Sequence, residues 1–218
     1  MQRMITLGIS VSVMAAIATA TAAVVSAEEG FLPRNTNGFT FVTKEAVFET
    51  TPGAFNVTCK LAAGTGTLAS DKHGTVTVAF EKCKAIGFAI NSLGDKKETI
   101  LVASALVLVC LLAGGGFGLF LELPAVGVHM EVPFSGLLVL MTGSVIGVLL
   151  GANVQTYGTD FLVNAMNEQA VKECKEGMNN KVAALLSEPN ENKKPEVTTV
   201  ETEAGALKLE EVMELMDS

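Results

Sequence analysis

The sequence predicts an all-β protein, an antiparallel β-sandwich or irregular barrel, behind a cleaved signal peptide. Three observations point there. Runs such as Phe55–Cys59 and Thr75–Phe80 alternate apolar and polar residues with the period of two that half-buried strands require. Turn-forming clusters punctuate the chain at Thr51-Pro52-Gly53, Asp71-Lys72-His73-Gly74 and Gly114-Gly115-Gly116. The 218 residues are 49% hydrophobic and only 17% charged, which excludes global disorder and provides for a packed core.

Residues 1–27 read as an address. Arg3 precedes an uncharged Ala- and Val-rich run from Ile5 to Val25, and Val25-Ser26-Ala27 meets Glu28-Glu29. Small residues followed by acids fit cleavage after Ala27. An uncleaved anchor is the alternative, and the Ala, Thr and Ser content of the run makes it a weak span. Residues 28–38 read as a lead-in, 39–200 as the β-rich domain and 201–218 as an acidic tail.

Export changes the meaning of the four cysteines, because an oxidising compartment favours bridges. Cys59 and Cys83 flank the hairpin expected from Phe55–Cys59 and Thr75–Phe80, so they pair first. Cys110 lies in a fully apolar run and reads first as a small buried hydrophobe. A bridge from Cys110 to Cys174 is the alternative.

The centre supports two readings. Thr99 to Leu121 and Phe134 to Val154 are uncharged runs of 23 and 21 residues, long enough for two membrane helices. Against this, the first run is broken by three glycines and the second by Gly143-Ser144 and Gly147. Val126–Val132 between them alternates like a strand. Lys96 and Lys97 would also lie on the outer side of a span, where positive charge is disfavoured. Buried strands are the favoured reading, forming an unusually apolar core or a sticky face.

The last third changes character: residues 168–218 hold 12 acidic and 6 basic residues. Thr159–Ala165 reads as a strand, Lys181–Leu186 as a strand or short helix, and Ser187–Pro195 as a polar loop. Val197–Thr202 is β-prone. Leu207–Met216 reads as an edge strand or an amphipathic helical end.

Val57–Lys60 with Gly64–Thr67, Gly74–Cys83 and Leu137–Gly147 together resemble a group of uncharacterised exported proteins of soil actinobacteria. The resemblance spans about residues 39–200. It implies export and a β-rich fold and carries no activity. It also implies extra cysteines in the group near the positions held here by Ile90 and Val132.

Candidate chemistry is sparse. The sequence has two histidines and lacks CxxC, HExxH and GxxxxGK[ST] patterns, and no basic stretch suits phosphate contacts. His129 and Glu131 share one face of a strand, where a metal or acid/base role competes with that of a plain solvent face. No third ligand can be named for them, so the solvent face is favoured. His73 reads as an exposed turn residue, and Asp71, Asp95 and Asp160 as turn carboxylates. Asn56-Val57-Thr58 matches a glycosylation sequon but reads as strand. The scattered C-terminal acids lack the spacing of a calcium loop.

The expected function is an exported, non-enzymatic structural or binding module, secreted or at the cell surface. It would need no cofactor or metal, bind no nucleic acid, and have a cell-surface or protein partner and an unknown ligand. The alternative is a small membrane protein whose helices at about 99–121 and 134–154 carry an extracytoplasmic β-module.

Overall fold

The structure, a computed structural model, describes residues 37–50, 55–69, 73–94, 98–151, 156–162, 168–176, 179–189, 195–202 and 205–209. The expected leader at 1–27, Asp71 and Asp95 lie outside the described residues. The described part is 73% strand, antiparallel and without helix.

The described residues form nineteen strands in order. They are β1 (Asn37–Thr43), β2 (Ala46–Thr50), β3 (Asn56–Cys59), β4 (Leu61–Leu68), β5 (His73–Glu81), β6 (Lys84–Ala85), β7 (Phe88–Ala89), β8 (Asn91–Ser92), β9 (Thr99–Ala103) and β10 (Leu106–Leu112). There follow β11 (Phe117–Glu122), β12 (Val128–Val132), β13 (Leu137–Leu150), β14 (Thr156–Asp160), β15 (Glu173–Glu176), β16 (Asn179–Val182), β17 (Ala184–Pro189), β18 (Glu196–Thr202) and β19 (Gly205–Leu209).

Many of these are halves of longer bent strands. Asn37↔Leu68 in β1–β4 and Ala46↔Cys59 in β2–β3 keep one register, so both pairs form a single long hairpin. The pairings close on themselves. From β1 they run through β4, β5, the β9–β10 strand, β11, β13, β14 and β19, and β19 pairs back to β1. Closure satisfies the edge hydrogen bonds that an open sheet leaves bare. At the far end the bent strands fan into a second sheet, where β2 pairs with β18 and β3, β3 with β6, and β6 with β7.

One face of each wall points inward and is apolar. Phe39, Phe41, Val76, Val78, Val107, Val109, Leu119, Val145 and Leu149 belong to one core cluster. On β4 and β5 the outward residues are Thr65, Thr67, Thr75 and Thr77, all exposed. This polar-out, apolar-in alternation is the reverse of a membrane-spanning barrel, whose lipid face is outside.

The wall built from β10, β11 and the second half of β13 does not alternate. Leu108, Cys110, Phe120 and Ile146 point the other way, yet all are buried. They are covered from outside by a flap, residues 168–176 and 179–183, whose β15–β16 hairpin pairs through Leu111↔Lys175 and Leu112↔Cys174. Cys174, Val171 and Ala183 of the flap complete this outer cluster. The described parts of the uncharged runs are therefore strands and turns, buried on both faces where the flap covers them, and not membrane helices. Among the described residues no helix is long and apolar enough to cross a membrane.

Both disulfides are present and buried. Cys59–Cys83 joins directly opposite residues where β3 and β4 run against β5 and β6, with Cα atoms 4.0 Å apart. Cys110–Cys174, with Cα atoms 5.6 Å apart, staples the flap to the wall, so Cys110 is a bridge partner and not a free hydrophobe. Two buried bridges are consistent with an oxidising, extracytoplasmic environment.

Several sequence boundaries move. β13 is one 14-residue strand and is not broken at Gly143 or Gly147. Gly143, at φ +104°, bends it where its partner changes from β12 to β11, and a Cβ there would strike the Ala184 carbonyl. β17 continues to Pro189, into the expected polar loop, and the expected strand at Thr159–Ala165 is β14, ending at Asp160. The sheet also runs past residue 200: β19 sits between β1 and β14, so its five residues are neither an edge strand nor part of a helix. Ile90 and Val132 are both buried, and the β8–β12 register continued by one residue sets them opposite each other.

Candidate functional site: an aromatic tip on a closed barrel

The barrel interior is the first place to look for a site. It holds a void of about 70 Å³ among Phe39, Phe41, Phe48, Phe80, Met141 and Phe161. The two polar side chains at its wall are already engaged. Ser104 Oγ accepts the Val76 amide at 2.9 Å, and Thr202 Oγ1 accepts the Phe161 amide at 3.2 Å. An apolar cavity of roughly 150 Å³ is what holds a benzene. Half that volume makes this interior a packed core with a gap.

A second, more polar hollow of about 260 Å³ lies between the flap and β17–β18. Its polar groups hold the flap down. Gln169 Nε2 donates to the carbonyls of Leu162 and Val200, and its Oε1 accepts the Val200 amide. Ser144 Oγ donates to the Val182 carbonyl, and within the flap itself Lys172 pairs with Glu168 at 2.8 Å.

His129 and Glu131 do share the outer face of β12, as their spacing implies. His129 is exposed, and Glu131 Oε1 accepts the Gly94 amide at 3.3 Å, so the carboxylate steadies the 93–94 turn. Among the described residues, no group of three His, Cys, Asp or Glu side chains is placed to hold a metal ion. His73 is not merely an exposed turn residue. It opens β5, and its Nε2 lies 2.6 Å from Glu176 Oε1, which ties the flap to the neighbouring wall; Lys181 lies 3.5 Å from the same carboxylate's Oε2. Lys181 also stands over the Phe120 ring, 5.8 Å from its centroid. Asn56 is an exposed strand residue of β3, and Asp160 closes β14 opposite Val148.

Among the described residues, one exposed apolar cluster without a structural role lies at the fanned end. β6 and β7 form a two-residue hairpin, Ala85↔Phe88, with Ile86 and Gly87 in its turn at φ +53° and +81°. Two positive values define the mirror-image turn that suits the strand twist, and Asn, Asp or Gly normally fills it. A β-branched residue there is strained by about 1–2 kcal/mol. Ile86 is nevertheless 72% exposed. Beside it, Phe88 stacks on Phe134, with ring centroids 4.7 Å apart and planes 8° from parallel. Phe134 is 80% exposed, at the tip of the turn joining β12 to β13. That turn is well held: the Ser135 and Gly136 amides both donate to the Val132 carbonyl.

Sequence reasoning did not single out these three residues. Ile86-Gly87 carried only the weak turn signal of its single glycine. Phe134 was hidden inside an uncharged run that read as core. No protein-family model matches the sequence, and no curated protein or solved structure matches it.

Proposed function

We propose that the chain is an exported, non-enzymatic binding module, secreted or held at the cell surface, that engages its partner through the Ile86–Phe88–Phe134 tip. The observation that carries this reading is the coincidence of strain and exposure there. Ile86 is in a backbone conformation that costs stability, and its side chain and that of Phe134 gain almost no burial in return. Strained positions and exposed apolar clusters both concentrate where proteins bind. The limited room inside the barrel supports a surface role over that of an interior carrier. The two buried bridges support action outside the cytoplasm.

The test is export of the full chain with its own leader, followed by separation of cells from medium. The wild type should be recovered oxidised, and its distribution between cells and medium should change when Ile86→Asn and Phe134→Ser are introduced together. Reduced protein retained in the cytoplasm, or an unchanged distribution, would sink the proposal.

A further inference from the structure

We infer that the Cys110–Cys174 bridge is a redox latch. A dithiol reductant outside the cytoplasm opens it, releases the flap and bares the apolar wall beneath, while the barrel stays folded. The inference concerns the flap alone, so its failure would leave the binding tip untouched. Topology is the first argument. The ring of pairings that closes the barrel contains no strand of the flap. When β15 leaves, β10 keeps β11 from Leu106 to Leu111 and β5 at Val107 and Leu108. Among the described residues, main-chain pairing of flap to wall is confined to Leu111↔Lys175 and Leu112↔Cys174. The flap's apolar contribution is small: Cys174 with Val171 and Ala183. Side chains add the Gln169 and Ser144 hydrogen bonds and the partly exposed His73–Glu176 contact. The covalent bond is therefore the chief hold on the hairpin.

The second argument is what must open to reach each bridge. Both are buried, so a reductant meets either one through an opening of the structure. Around Cys110–Cys174 that opening is the flap's alone. Cys59–Cys83 lies where β4 runs against β5 from Leu61↔Glu81 to Leu68↔Gly74 and where β3 pairs with β2 and β6. Exposing it parts the strands of the barrel itself. The exchange balances. One thiolate of the dithiol attacks a sulfur of the bridge, the S–S bond breaks, and the other cysteine leaves as a thiolate that takes a proton. The second thiol then attacks the mixed disulfide, freeing the remaining cysteine and closing the reductant's own disulfide. Two electrons and two protons pass to the protein. On the wall, Cys110 Sγ lies 3.6 Å from the Gly118 carbonyl oxygen, an acceptor for the new S–H. Departure of the flap uncovers Leu108, Phe120 and Ile146, and withdrawal of Gln169 frees the Val200 amide and carbonyl. Reduction thus converts a covered wall into an exposed apolar face.

Timed reduction of the oxidised, exported protein tests this. Dithiothreitol is the probe, without denaturant, with iodoacetamide quenching and mass mapping of the alkylated cysteines. Cys110 and Cys174 should be alkylated together, at least about tenfold faster than Cys59 and Cys83, as expected when one bridge needs local opening and the other global opening. At that stage far-UV circular dichroism should be unchanged and an apolar dye should bind. Amide exchange should accelerate in β15 and β16 and not in β4. Reoxidation should expel the dye and restore slow exchange. Alkylation of all four cysteines at one rate, or loss of the strand signal with the first pair, would overturn the inference. So would resistance of Cys110–Cys174 until the barrel unfolds. Reduction of that bridge without dye binding would also overturn it, since the flap would then stay shut by its other contacts. The wild type carries the whole test, so no variant's misfolding can imitate the result.

Discussion

Two walls of one barrel solve the same problem with different sequences. The β1–β4–β5 wall alternates: Phe39, Phe41, Val76 and Val78 fill the interior, and Thr65, Thr67, Thr75 and Thr77 face water. The wall of β10, β11 and the end of β13 reads as nearly unbroken hydrophobicity, because its inward Val107, Val109 and Leu119 alternate with outward Leu108, Cys110 and Phe120 under the flap. Backbone geometry is the same in both. What differs is whether a second layer covers the outside, as in sheets buried on both faces. Apolar run length therefore reports cover on both faces and not the kind of element.

The largest break in that comparison is removal of the staple. Cys110→Ala with Cys174→Ala opens a bridge with a sequence separation of 64. Loop entropy alone makes this worth about 4 kcal/mol. Denaturant unfolding should register that loss. Hydrogen exchange should show protection falling first in β15 and β16 and in the outer bonds of β10, while β1, β4 and β5 keep theirs. Uniform loss around the barrel would mean that the two walls are not separable in stability.

A smaller effect comes from truncating outward positions on the neighbouring strands β5 and β10. Leu108 is fully buried beneath the flap, and its change to Ala should cost about 3 kcal/mol, as for other core leucines. Thr77 is an exposed outward residue on the alternating wall, and Thr77→Ala should stay within about 0.5 kcal/mol. Equal costs would show that the flap does not seal its wall. Between these extremes lies Gly66, which faces Phe39 across β1–β4 and leaves room for its ring. Gly66→Ala should cost about 2 kcal/mol through forced repacking, measurable as a lowered Tm.

These contrasts also explain what the sequence could disclose. The hairpin around Cys59 and Cys83 was legible because its partners are near in sequence and its alternation is clean. The all-β class followed from the same local signals. The flap was not legible. Its contacts link Cys174 to Cys110 and Glu176 to His73, and nothing local in 168–183 announces which wall it will cover. Without the flap in view, the apolar Leu108, Phe120 and Ile146 fitted an unusually apolar core, a sticky face or a membrane. β19 was missed as a ring member for a related reason. Its short, charge-flanked sequence resembles a tail, and only pairing with β1 and β14 on both sides gives it a place. The tip escaped because exposure, not residue type, marks it: Phe134 differs from the core phenylalanines only in where its turn points.

The smallest expected effect concerns the join between the two walls. His73 begins the alternating wall, and Glu176 belongs to the flap that covers the other. Their contact is 42% exposed on the histidine side and 18% on the carboxylate side. A partly exposed pair of this kind contributes less than about 1 kcal/mol. His73→Ala should therefore lower stability only slightly, and the loss should shrink further in high salt. Its kinetic signature should be larger than its thermodynamic one. With the disulfide intact, the flap remains tethered at Cys174 but loses its hold at Glu176. Amide exchange at Cys174–Glu176 should accelerate, and exchange in β4 should not change. Matching acceleration in β4 would place His73 in the fold of its own wall. Confinement to the flap would show that the two walls share a ring of hydrogen bonds yet open independently.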